Sequence, residues 1–551
     1  MHSPTINFHK NKILKLQKRI YLSLKEEVDQ ILGELPREIK TYQREFEKDF
    51  KSQKLSLIKI SKRKLLARIL QSDVCLISDF HTFSQAQRTA LRIMREIVTS
   101  HKNWCIGLEL ISSQYQKDLN LYQTGKISEN TFLKHIQYQK EWGFPWTNYA
   151  PLFHLAIENK CPLIALNEPK TVLNSSATFR SAKSKDALLQ RDRWAAGIIT
   201  DLFDYAIRKK IKIKIFVLCG ELHLGEKHLP YQIKKISKAF LGSALKTISI
   251  HQNIDHLYWK MSRRKKEQSA DILKLTPNTF CILSSPPWAK LQSLIDWAER
   301  LPELDENDVD WLYYFKNQGQ ILSYFFDLQM PNYENFSIKS IDNIPFIESP
   351  QKKSTLTPNE YKIINFGIKN NHYLYISKIN LAYIGTQSQN KITDLAGIHL
   401  LKRISHQNKI FEPTYEDFFR RILESAFGFL CSLIINPKRK CDLYQDYVLS
   451  TQTKQSKLEL QIVKQTLKCL KLYDQINDFR WMQNPIVSFY VSRNLGQILG
   501  KKIYNAMLME KISVELIKTI FFKKTNHKKR YLILIKLTEN IILPKTKREQ
   551  L

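Results

Sequence analysis

Between residues 74 and 283 the sequence alternates between two textures. Short runs rich in Val, Ile and Leu occupy residues 74–78, 105–110, 162–166, 214–219, 246–250 and 280–283. Longer segments with helical spacing fill much of the space between them, at 85–98, 116–139, 149–159 and 183–209. A strand that is apolar at every position is covered on both faces, and strand–helix alternation supplies that cover through crossover connections. The pattern predicts an α/β fold with a largely parallel sheet and helices on both faces. Only 15 Gly and 19 Pro in 551 residues leave few tight turns, which disfavours a β-sandwich or barrel.

The flanks read differently. Residues 10–55 are charged and low in Gly, with Ile13, Leu16, Ile20, Leu22 and Leu24 marking an apolar side, and Pro36 divides them into two helices. Beyond Ser284-Ser285-Pro286-Pro287-Trp288 the segments 291–301, 309–326, 415–434 and 456–472 have amphipathic helical spacing. A short strand pair is expected around residues 373–383, and residues 336–355 read as a linker. The expected domains are a helical arm over 1–65, an α/β domain over 66–290 and a mostly helical region over 291–551.

In an open α/β sheet, ligands bind beyond the carboxyl ends of the strands. The first run ends in Asp79 and His81, the second carries Glu109, the third is followed by Asn167-Glu168-Pro169, and the fourth by Gly220-Glu221-Leu222-His223. Each alone is ordinary: a carboxylate after a strand commonly caps the next helix, and a lone His is often satisfied in the core. Glu109 is different, because a charge inside an apolar run needs a partner. Jointly these residues fit two chemistries. His with carboxylate binds a divalent or iron centre, or a His held by an acid acts as general base on water. No Gly-rich phosphate loop and no GxSxG elbow is present, so nucleotide binding and serine-hydrolase chemistry lack support.

The formal charge is +34, with clusters at 61–64 (SKRK), 263–266 (RRKK), 438–440 (KRK) and 523–530 (KKTNHKKR). Lys-rich helix faces solvated by water explain most of it, and it permits weak electrostatic association with nucleic acid or an anionic membrane surface. The eight cysteines form no CxxC pair, as expected of free, buried thiols in a reducing compartment. No secretory signal or lipobox is seen, and the longest apolar run, AFGFLCSLII at 426–435, is too short to span a bilayer. A cytoplasmic protein is expected, its oligomeric state left open.

The strand-end residues also resemble the ChaN-like branch of the Tiki/TraB/erythromycin-esterase superfamily, which is associated with haem-iron uptake. The resemblance rests on Ser78-Asp79-Phe80-His81, Ile106-Gly107-Leu108-Glu109, Trp146-Thr147-Asn148-Tyr149-Ala150-Pro151-Leu152, Ile164-Ala165-Leu166-Asn167, Arg191-Asp192-Arg193-Trp194-Ala195-Ala196 and Gly220-Glu221-Leu222-His223. It covers about residues 70–260. Ser78 stands where the family has Gly, and Asp79 where it has Glu, which would withdraw a carboxylate oxygen by about an ångström. The resemblance implies a haem or iron site, or a divalent metal site, lined by His81, Glu109 and His223 with Asp79 and Glu168 beside them and Asp192 as a brace. Tyr231 is a candidate iron ligand. If the chain is instead a metal-dependent or His/Glu-based hydrolase of the same superfamily, His81, Glu109 and His223 would be its catalytic set. A third reading is a basic binding module with a vestigial site.

Overall fold

The computed structural model describes residues 8–51, 55–169, 185–263, 271–300, 311–340, 355–370, 372–385, 388–453, 455–472, 480–523 and 526–547. They fall into two compact units, Met1–Ile20 with Asp305–Arg548 and Tyr21–Leu304 with Glu549–Leu551. The sequence reading set its boundaries after residues 65 and 290 instead. One reason is that the helix Arg37–Lys51 packs onto the helix Lys185–Arg208, so part of the expected arm is built into the α/β unit.

That unit holds an eight-stranded sheet of β1 (Ile58–Lys59), β2 (Val74–Asp79), β3 (Trp104–Ser112), β4 (Leu163–Asn167), β5 (Lys214–Gly220), β6 (Thr247–Gln252), β7 (Ile272–Lys274) and β8 (Thr279–Ile282). Its order is β1-β7-β8-β6-β2-β5-β3-β4. The six strands from β8 to β4 are mutually parallel, whereas β7 and β1 run antiparallel at one edge. All six apolar runs are therefore strands of one parallel sheet. The two edge strands escaped the reading because two or three residues carry no periodicity.

The two faces follow from the two-residue period of a strand. Cys75 and Ile77 of β2 share a core with Ile106, Leu108, Phe216 and Leu218 and with the helices Lys62–Leu70 and Ser84–Val98. Val74 and Leu76 face the other way, with Ile215, Val217 and Cys219, against the helices Lys185–Arg208 and Leu229–Leu241. Where one helix was expected over 116–139 the chain forms three short ones, Gln116–Gln123, Glu129–His135 and Tyr138–Glu141. Gly125 at φ 72° ends the first, and Ser128 caps the second by accepting the Thr131 N–H at 3.2 Å.

The other unit is helical around a three-stranded sheet of β9 (Ser337–Ser340), β10 (Tyr373–Ile376) and β11 (Leu381–Ile384), ordered β10-β11-β9. The expected strand pair is β10 and β11. The expected linker begins as a strand at β9; most of the rest of it lies outside the described residues. The axis of the unit is the helix Tyr415–Ile435, buried at every position from Asp417 onward. The run 426–435 is its second half. Gly496 and Gly500 of the helix Pro485–Leu508 lie so close to it that an added Cβ would come within 2.5 Å of Ser425 and of the Ala426 carbonyl. Among the described residues no helix is long and apolar enough to cross a membrane. All eight cysteines are free and buried. The KRK cluster at 438–440 is not the expected solvated face. Lys438 and Arg439 are buried, with Arg439 on Asp394 at 2.8 Å and over the Phe429 ring at 4.5 Å. Most of the RRKK cluster lies outside the described residues.

Candidate functional site

Strand order decides which strand ends meet. β5 lies between β2 and β3, so the segments after β2 and β5 and the carboxyl half of β3 converge on one edge of the sheet. Glu109 sits where the pairing of β3 with β4 slips: Leu108 opposes Ala165 but Ser112 opposes Asn167. Such a bulge re-aims a side chain. Here the Glu109 carboxylate accepts the Gly220 N–H at 2.5 Å and lies 3.3 Å from His223 Nε2. Gly220 has little room for a side chain, since a Cβ there would meet His81 Nε2 at 3.3 Å and Glu109 Oε2 at 3.5 Å.

Two imidazoles are thus each backed by an aspartate, with Glu109 beside both. His81 Nδ1 lies 2.9 Å from Asp79 Oδ2, and Asp79 also accepts Tyr149 Oη–H at 2.7 Å and Gln87 Nε2–H at 2.5 Å. Asp79 therefore reaches its histidine despite the shorter side chain. His223 Nδ1 lies 2.7 Å from Asp192 Oδ1, whose Oδ2 accepts the Tyr42 hydroxyl at 2.7 Å. Burial pulls His81 down, but the bond and charge of Asp79 and the charge of Glu109 hold it above its ordinary value. Burial pushes Glu109 up, yet the two imidazoles and the Gly220 N–H bring it down to about 2. For His223, burial is outweighed by Glu109 and Asp192, and it rises to about 10. The site is charged and internally compensated.

The two imidazoles differ in what they have left to offer. Both nitrogens of His223 face carboxylates, which leaves it a proton donor without a spare lone pair. His81 keeps Nε2 free of hydrogen bonds among the described residues, and its ring meets Trp142 at 4.5 Å and Phe144 at 5.0 Å. Phe144 in turn stacks on Trp297 at 4.9 Å. Among the described residues no group of three His, Cys, Asp or Glu side chains is placed to hold a metal ion.

Of the residues singled out in the sequence, Asp79, His81, Glu109, Asp192 and His223 come together. Glu168 does not join them: β4 is the outermost parallel strand, and among the described residues Glu168 accepts Gln190 Nε2–H and has no hydrogen bond or ion pair to the others. Tyr231 is 51% exposed on the helix Leu229–Leu241. Sequence reasoning missed Tyr42, 1% exposed and stacked on His228 at 3.6 Å. It also missed Gln87 and Lys290, a buried ammonium between Glu221 at 3.3 Å and Asp255 at 3.4 Å. Ile39, Tyr42, Phe46 and Phe50 recur at helical spacing and are all buried, a stripe legible in the sequence although its docking place is not.

Residues 65–215 match the family described as haem-binding uptake, Tiki superfamily, ChaN. The match includes Asp79, His81, Glu109 and Asp192 but ends before Gly220-Glu221-Leu222-His223 and begins after Tyr42. A solved structure, reported as cofacial heme binding to ChaN of Campylobacter jejuni, is similar at 15% identity and a TM-score of 0.28, over 36% of this chain and 88% of that one. No curated protein matches the chain.

Proposed function

We propose that the α/β unit binds haem at the His81 side of the strand-end cluster. The observation that carries the reading is an imidazole fixed through Nδ1 by Asp79, its Nε2 without a hydrogen bond among the described residues, beside the aromatic wall of Trp142, Phe144 and Trp297. A macrocycle needs an apolar wall and its iron a nitrogen donor whose other nitrogen is oriented. The donor set fits: His81 would hold the iron through Nε2, and Asp79 would fix the ring. Haem supplies a redox-active iron and, through its propionates, negative charge. The match of residues 65–215 to a haem-binding family supports this reading. His81→Ala and Trp142→Ala are expected to weaken haemin binding by the full-length protein at least tenfold, read from the visible absorption band on titration. Absence of a band with the wild type, or an unchanged titration with His81→Ala, would sink the proposal.

One observation favours a second reading. The Glu109–His223–Asp192 chain holds a proton between two carboxylates, and the His81–Asp79 pair resembles an oriented general base. A His/Glu-based hydrolase would lose ester or amide turnover in both His81→Ala and His223→Ala while keeping its fold.

A further inference from the structure

The helices Lys62–Leu70 and Ser84–Val98 pack side by side on one face of the sheet, and they carry seven Lys or Arg against one acid. That acid, Glu96, is already paired with Lys62 across the two helices. Arg88, Arg92 and Arg95 follow at i, i+4 and i+7, so they form one exposed stripe opposite the buried face of Ala90, Ile93, Met94 and Ile97. Arg88 donates to Ser84 Oγ at 3.1 Å, and none of Arg63, Lys64, Arg88, Arg92 and Arg95 has an ion-pair partner among the described residues. Loss of surrounding water and then the charge of Arg95 pull Arg92 below its ordinary value, so the stripe works against itself electrostatically. Like charges so placed weaken a helix by a few tenths of a kcal/mol per pair.

We propose that this stripe is a docking surface for the phosphodiester backbone of double-stranded nucleic acid. The charge is complementary, and guanidinium forks bind phosphate oxygens in pairs. Steps of four and three residues place successive side chains about 6 and 4.5 Å apart along the axis, a spacing suited to a row of phosphates. Neither helix contributes an exposed large hydrophobic residue, which removes the apolar face that a helix needs to lie in a lipid interface. For the same reason no exposed aromatic is there to stack unpaired bases, so single strands are disfavoured. Contacts of this kind position a backbone without reading sequence.

The test is fluorescence anisotropy of a mixed-sequence 20-base-pair duplex with the full-length protein, across salt from about 50 to 200 mM. Replacing all three (Arg88→Gln, Arg92→Gln, Arg95→Gln) is expected to weaken binding at least tenfold and to flatten the log–log salt slope by about 2–3. Arg92→Gln alone is expected to give two- to fourfold. The charge-matched control Lys234→Gln, Lys235→Gln, Lys238→Gln, three exposed positions on the opposite face of the sheet, should change binding less than twofold. Equal losses in the two triple variants would show bulk charge alone and overturn the proposal. So would failure of the wild type to bind duplex, tighter binding to a single strand of equal length, or preference for phosphatidylserine-containing vesicles.

Discussion

Both units bury charge, and they do so in different ways. In the helical unit Asp417, Arg420, Arg421 and Glu424 lie on successive turns of one helix, joined by Lys402, with Arg420 on Asp417 at 2.6 Å and Lys402 on Glu424 at 3.3 Å. Ser488 accepts from Arg421 at 2.7 Å, and the Ile410 carbonyl from Arg420 at 3.2 Å. In the α/β unit the charges come from distant parts of the chain, include two imidazoles, and end in an aromatic-walled ring with an unengaged nitrogen. Burial of charge therefore does not by itself mark a site. A set satisfied within its own helix and its immediate neighbours is scaffold; a set that converges from separate strands and retains free capacity is where a ligand has something to bind.

The sharpest way to break that contrast is to remove one member of each set. Asp417→Ala is expected to destabilise the helical unit by about 3–5 kcal/mol, because it leaves Arg421 in the core without a carboxylate and Arg420 with Glu424 alone. His81→Ala should lower the stability of the α/β unit by only about 1 kcal/mol, since its ring is partly open to water. Hydrogen exchange resolved by unit in increasing urea measures both. Comparable losses would mean that the His81 cluster is structural.

Alkaline pH should drive the two units in opposite directions. His223 is raised from 6.5 to about 10 on folding, so its contribution is complete below about pH 6.5 and disappears as pH rises through 10. Lys402 is depressed from 10.5 to about 8, chiefly by burial, so the folded helical unit binds fewer protons than the unfolded chain between those values. Its stability therefore gains from this group as pH climbs from 8 to 10.5. Glu109, brought down to about 2, adds a loss for the α/β unit below about pH 4.5. Exchange protection of β2 and β5 falling between pH 7 and 10 while that of the helix Tyr415–Ile435 does not is the expected pattern. Parallel slopes would contradict it.

How much of this was readable from sequence follows range of interaction. The sheet was legible because each of its six parallel strands is a local apolar run, and their carboxyl ends located His81, Glu109 and His223 through the strand-end rule. What was hidden is lateral. Nothing local shows that β4 lies outermost and leaves Glu168 apart, or that β3 slips against β4 at Glu109. The KRK cluster read as a solvated face because charge looks the same in sequence whether Asp394 waits for it or water does. The family match ends at residue 215, short of His223, which the strand-end motif Gly220-Glu221-Leu222-His223 had supplied, and neither reached Tyr42, which finishes the charged end of the cluster.

Tyr42 gives the finest test of the comparison. Its hydroxyl donates to Asp192 at 2.7 Å and approaches His223 Nδ1 at 3.2 Å, so it fixes one aspartate oxygen while the other holds the imidazole. Tyr42→Phe keeps the ring stacked on His228 and removes one bond to a charged acceptor, for an expected loss of about 1.5 kcal/mol in the α/β unit. The freed Asp192 oxygen leaves His223 less firmly oriented, whereas the His81–Asp79 pair does not touch Tyr42. Haemin affinity should accordingly change less than threefold while the stability loss appears in full. A tenfold loss of haemin binding would mean that the two ends of the cluster act as one, and that the division drawn between an open imidazole and a closed one is wrong.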